Sequence, residues 1–325
     1  MDKVKYTNRH NLAPEVVKAI IKDRYTVEGE RESDYSITDI ISPVQMTILK
    51  KRYADDLVVK DVIDLFWSFM GSVAHQVLED SWHEDMKSTV EERIYMTLRG
   101  KTISGKIDCY QHEAVIVKGL GEDVILEADD FNLNRKDGEF RPAQIRDYKT
   151  TKVWNIMKGN HKKWEEQTNA YAGLLREMGK PVEKIIITCL LFDWNKNQMF
   201  KQNYPKAPIV DIEIPVWSEV DQLTYIHNKV YDLSLAEDMS DEDLSKAFPC
   251  SEEDMWMNFR DYAILKHGGE RAVKTFEDFE SAMTHFKETK SISEKTHHIV
   301  KRVGERKRCF EHCDVANHCA QHRRL

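Results

Sequence analysis

The sequence predicts an α/β fold with a central mixed sheet flanked by helices, followed by a helical C-terminal extension. Three observations carry this expectation. A stretch with helical apolar spacing (61–86) is followed by a series of short alternating runs. A second amphipathic stretch (161–180) stands between two strand-like runs, "QIRDYK" and "EKIIITCLLFDW", an order that favours a sheet with helices on its faces. From about Ser218 onward the chain reads as mostly helical and charged.

Taken in order, "SDYSITDIISPVQMTILKKRY" (33–53) opens with cap-type residues and carries a broken helical pattern with a turn at Ser42-Pro43. The stretch 61–86 repeats apolar side chains at Ile63, Phe66, Met70, Val73 and Val77, which predicts one long helix. "EERIYMTLRG", "KTISGKIDCY", "EAVIVKG" and "DVILEAD" alternate and read as a meander of strands, and "DDFNLNRKDGEFRPA" as a polar, turn-rich insertion. The helix over 161–180 stops at Gly179 and Pro181, where glycine admits a left-handed residue and proline cannot continue the helix. "EKIIITCLLFDW" is apolar on both faces, as a central strand is. "PIVDIEIPVW" reads as an edge strand. The expected organisation is an N-terminal helical segment (1–60) packed on a core (61–217), then an extension (218–325).

The chain has 325 residues, 41% of them hydrophobic, enough for one large core or two modest ones. No stretch has the apolar length that crosses a bilayer, and "MDKVKYTNRHNLAPEV" holds no apolar signal core, so the expectation is a soluble, cytoplasmic protein without a membrane partner. The formal net charge of −8 argues against a protein that coats nucleic acid non-specifically but leaves room for an enzyme with a local basic groove. Six cysteines in a cytosolic chain point to metal rather than disulfides. Cys309, Cys313 and Cys319 fall within eleven residues.

Three segments carry charged residues suited to one reaction. "GSVAHQVLE" places His75 and Glu79 one turn apart on a helix face. "SGKIDCY" places Asp108 at a strand end. "QIRDYKTTK" places Asp147 and Lys149 two apart, on one face of a strand. Hydrolysis of a phosphodiester needs charge neutralisation at the phosphate and a hydroxide at neutral pH, and a hard cation held by carboxylates and an imidazole supplies both. A neighbouring lysine can orient the attacking water. Gln167 and Tyr171 lie four apart on the next helix and can support a phosphate or that lysine.

Plainer readings stand beside these. His75 alone reads as a satisfied helix histidine, and Asp147 with Lys149 as a surface ion pair worth under about 1 kcal/mol. Glu127, Asp129 and Asp130 read either as metal-reaching acids or as a solvated loop. Trp154 and Trp164 suit base stacking or core packing. Lys152, Lys158, Lys162 and Lys163, with Lys301, Arg302, Arg306, Lys307 and Arg308, suit a DNA path or solvated faces.

The series G-x-x-x-H, G-x-x-D, D-x-K and Q-x-x-x-Y, in this order from about Asp34 to Trp194, resembles the RecB-like branch of the PD-(D/E)XK nucleases. The resemblance implies a restriction-endonuclease-like core and a metal-dependent DNA nuclease. His75, Asp108, Asp147 and the backbone carbonyl of Tyr148 become Mg²⁺ or Mn²⁺ ligands. Lys149 becomes the catalytic lysine, with Gln167 and Tyr171 in support. The C-x3-C-x5-C triplet at Cys309, Cys313 and Cys319 is similar to that of RecB-like nucleases with a [4Fe–4S] cluster, such as the CRISPR-associated exonucleases and the AddB subunit. Those families take a fourth cysteine from before the histidine motif, where this chain has none. Cys250 is preferred as the fourth ligand over Cys189, which lies in an apolar strand. Zinc completed by His312, His318 or His322 is the alternative. The chain has no GxxxxGK[ST] loop, hence no obvious ATPase motor.

The family analogy favours an exonuclease on single strands or duplex ends, in recombination, repair or phage DNA processing, alone or with a helicase or recombination protein. "SITDIISP" and "GERKRCFEHC" resemble phage-encoded members. The alternatives are a structure- or sequence-dependent endonuclease, and a non-catalytic DNA-binding module that keeps the fold and the cluster.

Overall fold

The computed structural model describes residues 4–22, 32–56, 58–81, 87–117, 124–127, 138–159 and 161–324. Asp129 and Asp130 lie outside the described residues. Among the described residues no helix is long and apolar enough to cross a membrane. The chain divides into two compact units, one of residues 1–44 and 55–237, the other of residues 45–54 and 238–325. The short helix beginning at Val44, which the sequence places in an N-terminal segment, therefore joins the C-terminal unit for nearly all its length.

The first unit begins with β1 (Val4–Thr7), α1 (Pro14–Ile21), β2 (Tyr35–Ser36) and α2 (Ile37–Ile40), then α3 (Val44–Arg52), which leads out of it, and β3 (Val58–Asp61). Next come α4 (Phe66–Asp80), β4 (Ser88–Leu98), β5 (Lys101–Gln111), β6 (Ala114–Val117), β7 (Val124–Glu127), β8 (Gly138–Arg141) and β9 (Gln144–Thr151). It ends with α5 (Val153–Lys158), α6 (Lys162–Glu177), β10 (Lys184–Leu191), β11 (Ile209–Ile214) and α7 (Glu219–Ala236). The long helix expected over 61–86 is shorter: Asp61 caps a 3-10 turn over Val62–Leu65, and α4 follows.

The main sheet has the order β11–β10–β9–β5–β2, with β4 also paired to β5. β10 runs parallel to β9 from Lys184↔Gln144 to Leu191↔Thr151, and β2 runs parallel to β5. β11, β4 and the β5–β9 contact are antiparallel, so the sheet is mixed. Parallel strands need a crossover, and α5 with α6 supplies it between β9 and β10. β10 is flanked on both sides and apolar on both faces: Ile185, Ile187 and Cys189 are fully buried and Ile186 nearly so. β11 sits at the edge, as its alternation predicts.

Helix α6 buries Thr168 through Leu175 without a break. One side faces the sheet. The other faces α7, where Gln222 donates to Asn169 Oδ1 (3.1 Å) and a Cβ on Gly173 would come within 2.9 Å of Ile226. Gly105 on β5 makes a second close approach: a Cβ there would stand 2.8 Å from the Tyr171 ring of α6 and 3.1 Å from Ile37. Ser36 and Asp39 form a reciprocal capping box that starts α2 beside this contact.

The second unit holds most of α3, then α8 (Asp241–Ala247), β12 (Met257–Lys266), β13 (Ala272–Phe276), α9 (Phe279–Glu288), β14 (His297–Arg306), α10 (Lys307–Glu311) and α11 (Ala320–Arg324). The expectation of a mostly helical extension is therefore corrected: residues 257–306 carry a three-stranded antiparallel sheet in the order β13–β12–β14. β12 pairs with β14 from Met257↔Arg306 to Lys266↔His297. The high charge of these strands hides their alternation, and the partners lie too far apart in sequence for local spacing to show it. The unit's apolar centre includes Ala263 and Ile264 of β12, Leu244 of α8 and Ile48 and Leu49 of α3.

Gly105→Ala is expected to force Tyr171 or Ile37 aside and to destabilise the protein by about 1–3 kcal/mol, the usual cost of overpacking. Urea denaturation measures it, and an unchanged midpoint would show that α6 gives way without cost.

Candidate functional site

The β5–β9 ladder runs through Cys109↔Arg146, Tyr110↔Ile145 and Gln111↔Gln144. One step further, the same register sets Asp108 opposite Asp147. The Tyr148 amide donates to Asp108 Oδ2 (2.8 Å), which holds the two strand ends together. Asp147 is buried, and the Lys149 ammonium, two residues along the same face, lies 2.7 Å from its Oδ2.

Helix α4 brings His75 to this point. His75 Nε2 lies 3.0 Å from the Tyr148 carbonyl oxygen, and Nδ1 lies 3.5 Å from Asp108 Oδ1 and 3.9 Å from Glu91 Oε1. Ligand atoms of His75, Glu91 and Asp108 all fall within 4.8 Å of one another, the one such group among the described residues. The imidazole thus turns Nδ1 to the two carboxylates and Nε2 to the Tyr148 carbonyl, so the nitrogen that can join Asp108 and Glu91 at an ion is Nδ1. Glu91 is new relative to the sequence reading. It lies on β4, whose register passes through Val90↔Cys109 and Glu92↔Ile107, so Glu91 falls opposite Asp108. Its φ of +52° is a left-handed conformation that costs a non-glycine residue energy. Nothing in "EERIY" distinguishes Glu91 from Glu92; only the cross-strand register does.

The expected trio of His75, Asp108 and Asp147 is met in part. His75 and Asp108 belong to the close group, whereas Asp147 stands on the neighbouring strand with its charge against Lys149. Glu79 is half-buried and outside the group.

The charges shift one another. Burial works against an ionised His75, yet its contacts with Asp108 and Glu91 raise its pKa to about 10. Burial works against ionised Asp108 and Glu91 as well, but His75 and the nearby lysines hold both carboxyls below the usual range. Burial lifts Asp147 to about 6 against the pull of Lys149. Lys149 is raised above the ordinary lysine value, because Asp147 and Asp108 outweigh its desolvation.

These groups open on a cleft of about 300 Å³, lined among others by His75, Asp108, Lys149, Gln167 and Tyr171. Gln167 Nε2 donates to the Tyr171 hydroxyl (3.0 Å), so the expected supporting pair is formed at the cleft wall. Arg93 and Lys106 add two cations that the sequence reading did not single out. Lys106 is committed to Glu91 at 2.5 Å.

In the second unit, Gln45 of α3 is buried, and its Nε2 lies 3.2 Å from Cys319 Sγ and 3.6 Å from Cys250 Sγ. Cys250, Cys309, Cys313 and Cys319 are close enough to act on one another electrostatically. Burial first, and the neighbouring groups after it, push Cys250 up to about 12 and raise Cys309 and Cys313. The Gln321 amide bridges the same ground, accepting from Cys250 N (2.8 Å) and from Gln45 Nε2 (3.1 Å). Gln45 Oε1 is buried without a hydrogen-bond partner. Cys189 stands apart in β10. His318 stacks on Tyr53, His312 tilts against Trp256, and His322 meets Phe310 edge-on.

Of the proposed basic path, Lys301, Arg302 and Lys307 are engaged by Glu252, Asp261 and Glu311. Lys163 reaches Glu166 and the Ile41 carbonyl. Trp164 stacks face-on with His161, whereas Trp154 is 63% exposed.

No protein-family model matches the chain, and no curated protein matches it. Among solved structures, one titled "Crystal structure of SSO0001" superposes with a TM-score of 0.40 at 14% identity, over 67% of this chain and 84% of that one. A likeness at that level carries no argument about function.

Cation binding at His75 must displace its proton. Mn²⁺ affinity is therefore expected to rise by about tenfold per pH unit between about pH 6.5 and 8.5, the range below the raised His75 pKa. Calorimetric titration measures it, and a flat profile would remove His75 from the site. Glu91→Gln is expected to weaken Mn²⁺ by about tenfold or more, with Glu79→Gln unchanged.

Proposed function

We propose that the chain is a metal-dependent deoxyribonuclease with a restriction-endonuclease-like core, acting as an exonuclease on DNA. The observation that carries the proposal is the gathering of His75, Glu91 and Asp108 within 4.8 Å, with the Asp147–Lys149 pair on the adjoining strand. The donor set of one imidazole and two carboxylates fits Mg²⁺ or Mn²⁺, which prefer oxygen ligands and accept imidazole, while the Tyr148 carbonyl orients the ring through Nε2. When bound, such an ion polarises a phosphoryl oxygen and lowers the pKa of its water.

The chain's own groups do the rest. Lys149 stays protonated because Asp147 and Asp108 face it, so its ammonium is ready to donate to the attacking water or to a phosphate oxygen. Asp147 holds that ammonium in place. The Gln167–Tyr171 pair confines the cleft and offers hydrogen bonds to the phosphate. Arg93 adds positive charge on the cleft wall.

In the second unit the four thiols of Cys250, Cys309, Cys313 and Cys319 fit a [4Fe–4S] cluster, which takes four cysteine ligands. Tetrahedral zinc with bonds of about 2.3 Å needs sulfurs about 3.8 Å apart. The cluster is preferred to zinc because the C-x3-C-x5-C triplet is similar to that of the RecB-like nucleases with a [4Fe–4S] cluster.

Incubation with Mn²⁺ and linear or circular single-stranded DNA tests the activity. The expected result is loss of the linear form alone. Cutting of the circle would make the chain an endonuclease, and survival of both would leave a binding module. Lys149→Ala is expected to fold normally and to lose at least about a hundredfold in rate. Anaerobically purified protein is expected to be brown with about four irons per chain; colourless protein with stoichiometric zinc would overturn the cluster assignment.

A further inference from the structure

The face of α4 that carries His75 continues into an exposed aromatic patch. Trp67, Gly71 and His75 are spaced by four and share one side of the helix. β9 runs alongside in the opposite sense. His75 meets the Tyr148 carbonyl, a Cβ at Gly71 would stand 3.3 Å from Thr150 Oγ1, and Lys152 Nζ lies 6.0 Å from the Trp67 ring centre. Phe192, whose amide donates to Thr151 O (3.3 Å), stacks on Trp67 with ring centres 6.4 Å apart and 28° between planes. Lys158 lies 4.9 Å over the ring of Trp154.

These rings are not core. Trp67 is 60% exposed, Phe192 44% and Trp154 63%, and α4 has no buried residue. Scattered exposed apolar residues are ordinary. The Trp67–Phe192 stack with Lys152 beside it, and the Trp154–Lys158 pair on the helix that begins directly after Lys152, are not scattered. An apolar protein partner has no use for the cations, whereas a polynucleotide uses both. Its bases have π-faces to stack and its phosphates are anionic.

We propose that Trp67 and Phe192, with Trp154 alongside, form a stacking platform for unpaired bases of single-stranded DNA, and that Lys152 and Lys158 meet its phosphates. The placement of the scissile phosphate next to His75 and Lys149 rests on the nuclease reading above. Eight residues of helix separate Trp67 from His75, about 12 Å. At about 3.4 Å per stacked nucleotide, the platform engages bases three or four positions from the cut. Duplex DNA keeps its base faces stacked on one another and cannot occupy the platform without melting. The substrate class is therefore a single-stranded end.

The test is fluorescence anisotropy with labelled oligodeoxythymidine and a blunt duplex hairpin, on the full chain carrying Lys149→Ala and without divalent metal. The expected result is a preference for oligodeoxythymidine. Trp67→Ala in that background weakens this binding by about tenfold to a hundredfold, leaves the hairpin unchanged, and Trp67→Phe retains most of it. Equal affinity of the Trp67→Ala and parent proteins for oligodeoxythymidine overturns the platform. So does equal loss on both DNAs, or a Trp67→Phe variant as weak as Trp67→Ala. Circular dichroism confirms the fold of each variant. Failure of the nuclease reading is read separately: a wild-type chain that cuts nothing yet shows this binding pattern keeps the platform and loses the chemistry.

Discussion

The first unit depends on the placement of carboxylates against cations in a buried sheet end. The register of β5 and β9 sets Asp108 opposite Asp147, and β4 adds Glu91 across from Asp108. Carboxylates buried together cost several kcal/mol unless positive charge joins them. Lys149, Lys106 and protonated His75 supply that charge. The cluster is thus a group of anions compensated by mobile or exchangeable cations. A divalent ion held by His75, Glu91 and Asp108 would supply positive charge to the same carboxylates in place of the His75 proton.

Helix α4 extends the consequences outward. Because it lies antiparallel to β9, one helical stripe is matched residue by residue with one strand face. His75 pairs with Tyr148, Gly71 with Thr150, and Trp67 with Lys152. The same packing that positions a ligand at one end exposes aromatic rings at the other. Its apolar residues are half-exposed or exposed for the same reason: only one side of α4 meets the sheet. Gly71 permits the approach, as Gly105 permits that of Tyr171 on the far wall of the cleft.

The second unit makes a different use of buried polar groups. Its thiols come from segments on both sides of a three-stranded sheet, and Gln45 from α3, well before it in the chain, closes over them. Gln45 occupies the stretch where the resembling families carry a cysteine. An amide there can hydrogen-bond thiolate sulfur, a contact that orients ligands and tunes a cluster.

The amino-acid sequence alone determined the elements whose signal is local. β10 as a central strand, β11 at an edge and α6 with its stop at Gly179 were legible because periodicity and spacing report on nearest neighbours along the chain, whereas His75, Asp108, Lys149, Gln167 and Tyr171 were singled out by a resemblance of motifs. Tertiary structure alone decided what depends on register and on distant pairing. Glu91 came to stand with His75 and Asp108 because β4 aligns it with Asp108, and the Asp147 carboxylate meets Lys149. α3 joined the C-terminal unit and residues 257–306 became sheet, while Cys250, which the sequence already favoured over Cys189, lies near Cys313 and Cys319. A one-residue slip would reverse each strand's faces, and no local pattern specifies which strand will lie alongside.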